Sequence, residues 1–230
     1  MGSKRLPGKV LMKLGEKTIL EHIVNFLALS KNIDEIIIAT TTLPEDDKIE
    51  ELADRINVKC YRGSSENVLD RFYRCAKSSN ADLVVRITAD DPIIEPSLID
   101  NIIEECKKGK FDYASNVIEK SFPVGYTTCE VFTFDTLAKI HNEQKDPASL
   151  EHVTYHIRQN QELFNVKSIV APEGLERSNW RLTVDHEQDL VLIREIFSNL
   201  YTPNKGFEYQ ELVNFLDKNQ ELLKINSECK

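Results

Sequence analysis

The chain has 230 residues, a formal net charge of −9, and 41% hydrophobic against 29% charged residues, the composition of an ordinary globular protein with room for one substantial core. That acidic balance excludes a general nucleic-acid binder, which draws on a broad basic surface. No apolar run approaches the roughly 20 residues of a membrane span and no secretory h-region follows the basic start, so the expectation is a cytoplasmic protein with no membrane partner.

The first nine residues, Met1-Gly2-Ser3-Lys4-Arg5-Leu6-Pro7-Gly8-Lys9, gather three cationic side chains, two glycines, a hydroxyl and a proline. Glycine lets the backbone approach a guest and turn its N–H groups inward, and Lys and Arg charge the rim, so the stretch suits an anion, a phosphate above all. A solvated tail has the same composition. Against that, Leu6-Pro7-Gly8-Lys9 runs into an apolar-periodic segment with no linker.

From there the chain alternates. Residues 17–29 place Ile19, Leu20, Ile23, Val24 and Leu27 at helical spacing, with Thr18 and Glu21 in capping-box register. Residues 34–40 read as a buried parallel strand, 45–56 as a helix and 58–62 as a strand. Gly63-Ser64-Ser65-Glu66-Asn67 is a polar loop opening a helix through residue 73. Residues 83–88 form the clearest central strand, ending in Ala89-Asp90-Asp91-Pro92, and a helix follows from about 97 to 107. A less regular stretch, about 111–180, reads as a smaller α+β lobe with strands at 131–134 and 164–170 and a helix at 149–160. A strand at 180–185 resumes the sheet, and helices near 187–200 and 208–223 close the chain. The prediction is one α/β domain: a mostly parallel, Rossmann-like sheet with helices on both faces. In such sheets ligands sit at the carboxyl ends of strands, which sets Thr40, residues 63–67 and Asp90-Asp91 along one rim.

Asp90 and Asp185 each follow an apolar strand and precede a helix. Each taken singly reads as a helix cap. As a pair converging from neighbouring strand ends they suit Mg²⁺, which takes one or two carboxylates together with phosphate oxygens and water. Asp91, held extended before Pro92, should point away from Asp90. Arg86, inside an apolar strand, is either ion-paired within the fold or reaches the site. Ser64, Ser65 and Asn67 suit a nucleobase edge and equally a local N-cap cluster. His152 and His156 are spaced i, i+4 but have no third ligand, so a surface or packing role is expected. The five cysteines are odd in number and form no C-x-x-C pair, as in a protein with reduced thiols. The G-x-G-x-x-G, P-loop and G-x-S-x-G patterns are absent, and so is a D-x-D pair.

Taken together, Gly2 to Leu11, Arg62-Gly63-Ser64 with Asn67 to Arg71, Val85 to Pro92, Glu151 to Thr154 and Arg181 to Asp185 resemble the sugar-acid cytidylyltransferases. These are the CMP-acylneuraminate and CMP-3-deoxy-manno-octulosonate synthetases, and the likeness is strongest to the spore coat polysaccharide branch. The resemblance implies a glycosyltransferase-A-like fold, a homodimer built through the smaller lobe, and transfer of CMP from CTP to an acidic sugar with release of pyrophosphate. It assigns Gly2, Ser3, Arg5 and Lys9 to the triphosphate, Gly63, Ser64, Ser65, Asn67, Val68 and Arg71 to the cytidine, and Asp90 with Asp185 to Mg²⁺. Lys9, Arg5 and Asp90 form its catalytic set, and Arg86, Gly125, Tyr126 and Glu130 face the sugar. Two departures stand out. Where the family carries a Pro-Asp-Gly-Leu-Asp-Val-Glu-like stretch, Pro123 to Glu130 lacks both acidic positions before the Glu, which motivates a different, phosphorylated acceptor as an alternative. The family also begins with an apolar strand ending in Ala-Arg before the Gly-Ser, and this sequence starts after it. Neighbouring strands are then expected to keep unpaired edges and uncovered apolar surface, and a non-catalytic nucleotide-binding protein is the further alternative.

Overall fold

In the computed structural model, which describes residues 1–229, the entry loop closes in a short 3-10 helix (Lys9–Leu11). A small antiparallel hairpin follows, β1 (Lys13–Leu14) with β2 (Lys17–Thr18). Thr18 then caps α1 (Ile19–Leu27): its hydroxyl accepts the Glu21 N–H at 3.2 Å, and the Glu21 carboxylate accepts the Thr18 N–H at 2.7 Å. The capping box anticipated from the sequence is formed, and such a cap is worth about 1 kcal/mol. All five residues expected on the apolar face of α1 are buried.

β3 (Ile37–Thr41) pairs in parallel with β4 (Lys59–Gly63), Ile37 opposite Lys59 and Thr41 opposite Gly63. A 3-10 turn (Pro44–Asp46) and α2 (Asp47–Arg55) make the crossover. α3 (Val68–Ser78) leads to β5 (Leu83–Ile87), and α4 (Pro96–Gly109), with Pro96 in its first turn, leads to β6 (Tyr113–Ser115). β7 (Cys129–Thr133) runs directly into α5 (Phe134–Glu143), because the Thr133 hydroxyl caps that helix on the Thr136 N–H. Next come α6 (Pro147–Glu151), α7 (Tyr155–Gln159), β8 (Val166–Ser168), α8 (Glu187–Leu200) and α9 (Tyr209–Lys218).

The larger sheet has the order β5-β7-β6-β8. Its pairing is mixed where a mostly parallel sheet was expected: β7 runs antiparallel to both β5 and β6, while β6 and β8 are parallel. Alternation along β7 divides two cores. Cys129 and Val131 join the core of α4, α8 and α9, whereas Phe132 joins that of α3, α5 and α7. The class is α/β, as the sequence pattern implied. The segment expected as a smaller lobe supplies β6, β7 and β8, so it is continuous with the strand that leads to Asp90.

Three expectations are corrected. Residues 180–185 are extended but form no strand: Arg181 makes one isolated bridge to Val124, and Val184 donates to the Asp90 carbonyl at 2.8 Å, so this segment pairs with loops. The helix expected at 149–160 is two helices. His152 is extended at their junction, and the Thr154 hydroxyl is drawn onto the buried Glu130 carboxylate. Finally β5, expected at the centre of the sheet, ends it. Among the described residues β5 pairs with β7 alone and β3 with β4 alone. A cavity of about 640 Å³ separates them, lined by Ile36, Ile38, Phe72, Val85, Ile87 and Ile103 among others. None of the five β5 residues is fully buried. Among the described residues no helix is long and apolar enough to cross a membrane.

Candidate functional site

The site is assembled by three segments: the turn after β5, the segment before α8 and the entry loop. The turn after β5 presents Asp90, and its carbonyl accepts the Val184 N–H, so the residue after Val184 is brought alongside. That residue is Asp185, immediately before the His186 cap of α8. Lys9 rises between them from the entry loop. Its Nζ donates to Asp90 Oδ2 at 2.7 Å and to Asp185 Oδ1 at 2.8 Å, and its side chain is 11% exposed. Gly8 permits this approach by taking a left-handed turn, φ 72°, as its N–H bonds back to the Met1 carbonyl. Arg5 adds an exposed ion pair to Asp185 Oδ2 at 2.8 Å, and Arg181 donates to the same oxygen at 2.8 Å.

The charges shape one another. Burial alone would lift the Asp185 pKa, but hydrogen bonds from Lys9 and Arg5 outweigh it and hold the carboxyl well below its usual range. Burial pulls Lys9 down, yet Asp90 and Asp185 together raise it, so it stays protonated. Asp91 turns inward and accepts from the Thr88 hydroxyl at 2.6 Å. Burial, with Asp90 beside it, pushes its pKa up to about 6. Asp91 therefore faces away from Lys9, and Asp90 is the open carboxylate of the two.

The loop after β4 is built around its own hydroxyls. Ser64 Oγ accepts the N–H groups of Glu66 and Asn67, Asn67 Oδ1 accepts that of Asp70 at 2.8 Å, and Arg71 donates to the Ser64 carbonyl. These bonds cap α3 at Val68 and leave Ser65 exposed. Arg71 shares the slot between β3 and β5 with Met1 and Ala89, the residues directly before Gly2 and Asp90. Gly2 is exposed, and Ser3 Oγ accepts the Leu6 N–H at 3.3 Å, which tightens the entry loop.

The four residues expected on the sugar each make close contacts within the fold. Arg86 stands directly opposite Glu130 across β5 and β7, so the two share a face and form an ion pair. Glu130 is 1% exposed and also accepts from Tyr113 at 2.6 Å and from Thr154. Burial would raise its pKa, and Arg86 reverses the sign. Tyr126 is buried against Phe122 and Tyr209 with its hydroxyl on Glu95. Gly125, φ 85°, lies where any Cβ would strike the Thr183 backbone. Strand register sets Arg86 opposite Glu130, and register is not visible in one sequence. His152 and His156 fall on different elements, and His156 packs edge-on against Phe164. Among the described residues no cluster of three or more His, Cys, Asp or Glu side chains is arranged to hold a metal.

Two residues that sequence reasoning passed over are central. Asp46 is buried and accepts from Thr40 Oγ1, Thr41 Oγ1, the Thr41 N–H and the Met1 amino group. Asp189 in the first turn of α8 binds Arg181. Each reads in sequence as an ordinary acid at a helix start, which is why neither stood out.

A family model described as cytidylyltransferase matches residues 1–223. The chain belongs to the cytidylyltransferase family. It is 32% identical over 95% of its length, and 91% of the relative's, to the spore coat polysaccharide biosynthesis protein SpsF of Bacillus subtilis. It is 33% identical to a 3-deoxy-manno-octulosonate cytidylyltransferase of Solibacter usitatus, over 43% of this chain and 38% of that one. The structure of a cytidylyltransferase from Leptospira borgpetersenii superposes with a TM-score of 0.90 at 29% identity, covering 97% of this chain and 92% of the other. The family resemblance read from the motifs is thus confirmed across nearly the whole chain, and with it the fold and the class of enzyme, a nucleotidyltransferase.

Proposed function

We propose that this cytidylyltransferase transfers CMP from CTP to an acidic sugar, with release of pyrophosphate and with Mg²⁺ at Asp90 and Asp185. The observation that carries the reading is the meeting of Lys9 with both carboxylates under Arg5. The donor set fits a hard divalent ion, since two carboxylates aim one oxygen each at a point already holding a cation, the Lys9 ammonium, and Mg²⁺ completes its shell from phosphate and water. Lys9, Arg5 and Arg181 balance Asp90, Asp185 and Asp189 locally, so a polyanionic triphosphate requires a further cation. When bound, that ion would supply charge neutralisation on the phosphate oxygens.

In the reaction a sugar hydroxyl oxygen forms the new bond to the α-phosphorus and loses its proton to solvent, and the bond from the α-phosphorus to the α–β bridging oxygen breaks in line, its electron pair leaving with pyrophosphate. The chain contributes position and charge. Lys9 and Arg5 move from carboxylate to phosphate and hold the leaving pyrophosphate. Gly2 and Ser3 line the entry loop around the phosphates, while the capped loop from Gly63 to Val68, backed by Arg71, holds the cytidine. Related enzymes named for octulosonic acid support a sugar acid as acceptor. The altered 123–130 stretch keeps a phosphorylated small molecule as the alternative. All five cysteines are free thiols, which supports a cytoplasmic setting, and the family resemblance supports a homodimer, measurable by light scattering.

Pyrophosphate release from CTP with nonulosonic and octulosonic acids tests the reading, with UTP and ATP as competitors. No release with any acceptor overturns it. A second reading is nucleotide binding without turnover, favoured by the Lys9 ammonium that already occupies the point between Asp90 and Asp185. Calorimetric CTP binding in Mg²⁺ without pyrophosphate release would select it; no binding at all would sink both.

A further inference from the structure

We propose that Asp189 is the positioning residue of the Asp185 carboxylate, acting through Arg181 and the Asp185–His186 backbone, with Asn226 as its latch from the C-terminal segment. The inference rests on the cytidylyltransferase reading above. Asp189 is 0% exposed and both of its oxygens are saturated. Oδ2 accepts the N–H of Asp185 at 3.0 Å, the N–H of His186 at 2.9 Å and Arg181 Nη2 at 3.2 Å. Oδ1 accepts Arg181 Nε at 3.0 Å and Asn226 Nδ2 at 2.8 Å.

A helix-capping acid at this position needs only the His186 N–H to complete its box. The remaining bonds go to the Asp185 backbone, to Arg181 and to Asn226. The same Arg181 Nη2 that touches Asp189 donates to Asp185 Oδ2 at 2.8 Å, so one guanidinium is forked between the two carboxylates. Oδ2 of Asp185 is thereby held back, and Oδ1 is the oxygen turned towards Lys9 and Asp90. Asn226, itself buried, also donates to the Arg181 carbonyl at 3.0 Å, which fixes the backbone from which the guanidinium springs. The carboxylate that faces the cation therefore takes its orientation from an aspartate one helical turn away and an amide near the end of the chain.

The test uses the full chain with Asp189→Asn and Asn226→Ala. Two quantities are read: the half-saturating Mg²⁺ for pyrophosphate release at saturating CTP, and Mn²⁺ affinity for the CTP-loaded protein by electron paramagnetic resonance, which needs no turnover. Outer residues that orient a ligand typically change metal affinity by about 10- to 100-fold. Asp189→Asn should weaken both readouts by at least about tenfold, with the CTP KM moving less than about threefold, and Asn226→Ala should shift both in the same direction by less. A purely structural role lowers the unfolding midpoint and the active fraction and leaves both half-saturation points unchanged, and that result overturns the proposal. If Asp189→Asn fails to fold, Asn226→Ala decides on the same readouts. Wild-type protein with no divalent dependence refutes the underlying reading instead, a result seen before any variant is made.

Discussion

Lys9→Met removes the ammonium from between Asp90 and Asp185 while keeping most of the side chain's volume. The two carboxylate oxygens stand 2.7 and 2.8 Å from that nitrogen, so without it two like charges face each other about 5 Å apart. With an effective dielectric constant of about 20, their repulsion is roughly 3 kcal/mol. The side chains of Asp90 and Asp185 are 29% and 17% exposed, and solvent screening brings the expected loss to about 2 kcal/mol near neutral pH. The pH dependence carries the sign. In the wild type, Asp185 has a depressed folded pKa, so its contribution is present above the unfolded carboxylate pKa and is lost as pH falls through the lower folded value. Lys9→Met removes one cause of that depression while Arg5 and Arg181 stay on Asp185 Oδ2, so the deficit is present above the usual carboxylate pKa and shrinks as pH falls below it. Urea unfolding in chelator should show a deficit of about 2 kcal/mol near pH 7 and a smaller one at about pH 3. An equal deficit at both pH values would refute the bridging role of Lys9.

Asp90→Asn should abolish pyrophosphate release with an unchanged far-UV spectrum, and activity within a few-fold of wild type would remove Asp90 from the metal site. Glu130→Gln strips Arg86 of its buried partner and should cost roughly 3 kcal/mol, or about 6–12 °C in the thermal midpoint. An unchanged midpoint with a raised acceptor KM would return Glu130 to the sugar. Gly125→Ala forces a Cβ into the Thr183 backbone at a positive φ and should cost at least about 2 kcal/mol. Calorimetry showing no loss would mean that the 124–126 and 181–184 segments separate without consequence.

Local signals were legible because their causes are local. Thr18 and Glu21 sit in capping register and form the box. The apolar periods of α1, α4 and α8 appear where expected, and Asp90 and Asp185 were marked by the same strand-then-helix setting. Arg86 was left between two roles because its partner is a residue 44 positions away. Glu130 could be named but not placed, since one register decides whether a strand residue meets the core or the rim.

The sequence by itself determined the α/β class, the family and the residue types of the site, because periodicity, caps and motif spacing are written along the chain. Only the tertiary structure decided that Lys9 lies on both carboxylates, that Arg86 is spent on Glu130, that β5 borders an open slot, and that Asp189 is bonded to Arg181 and the Asp185 backbone. Each of these is a contact between segments far apart in sequence, set by strand order and loop closure, and no local pattern records which distant group arrives.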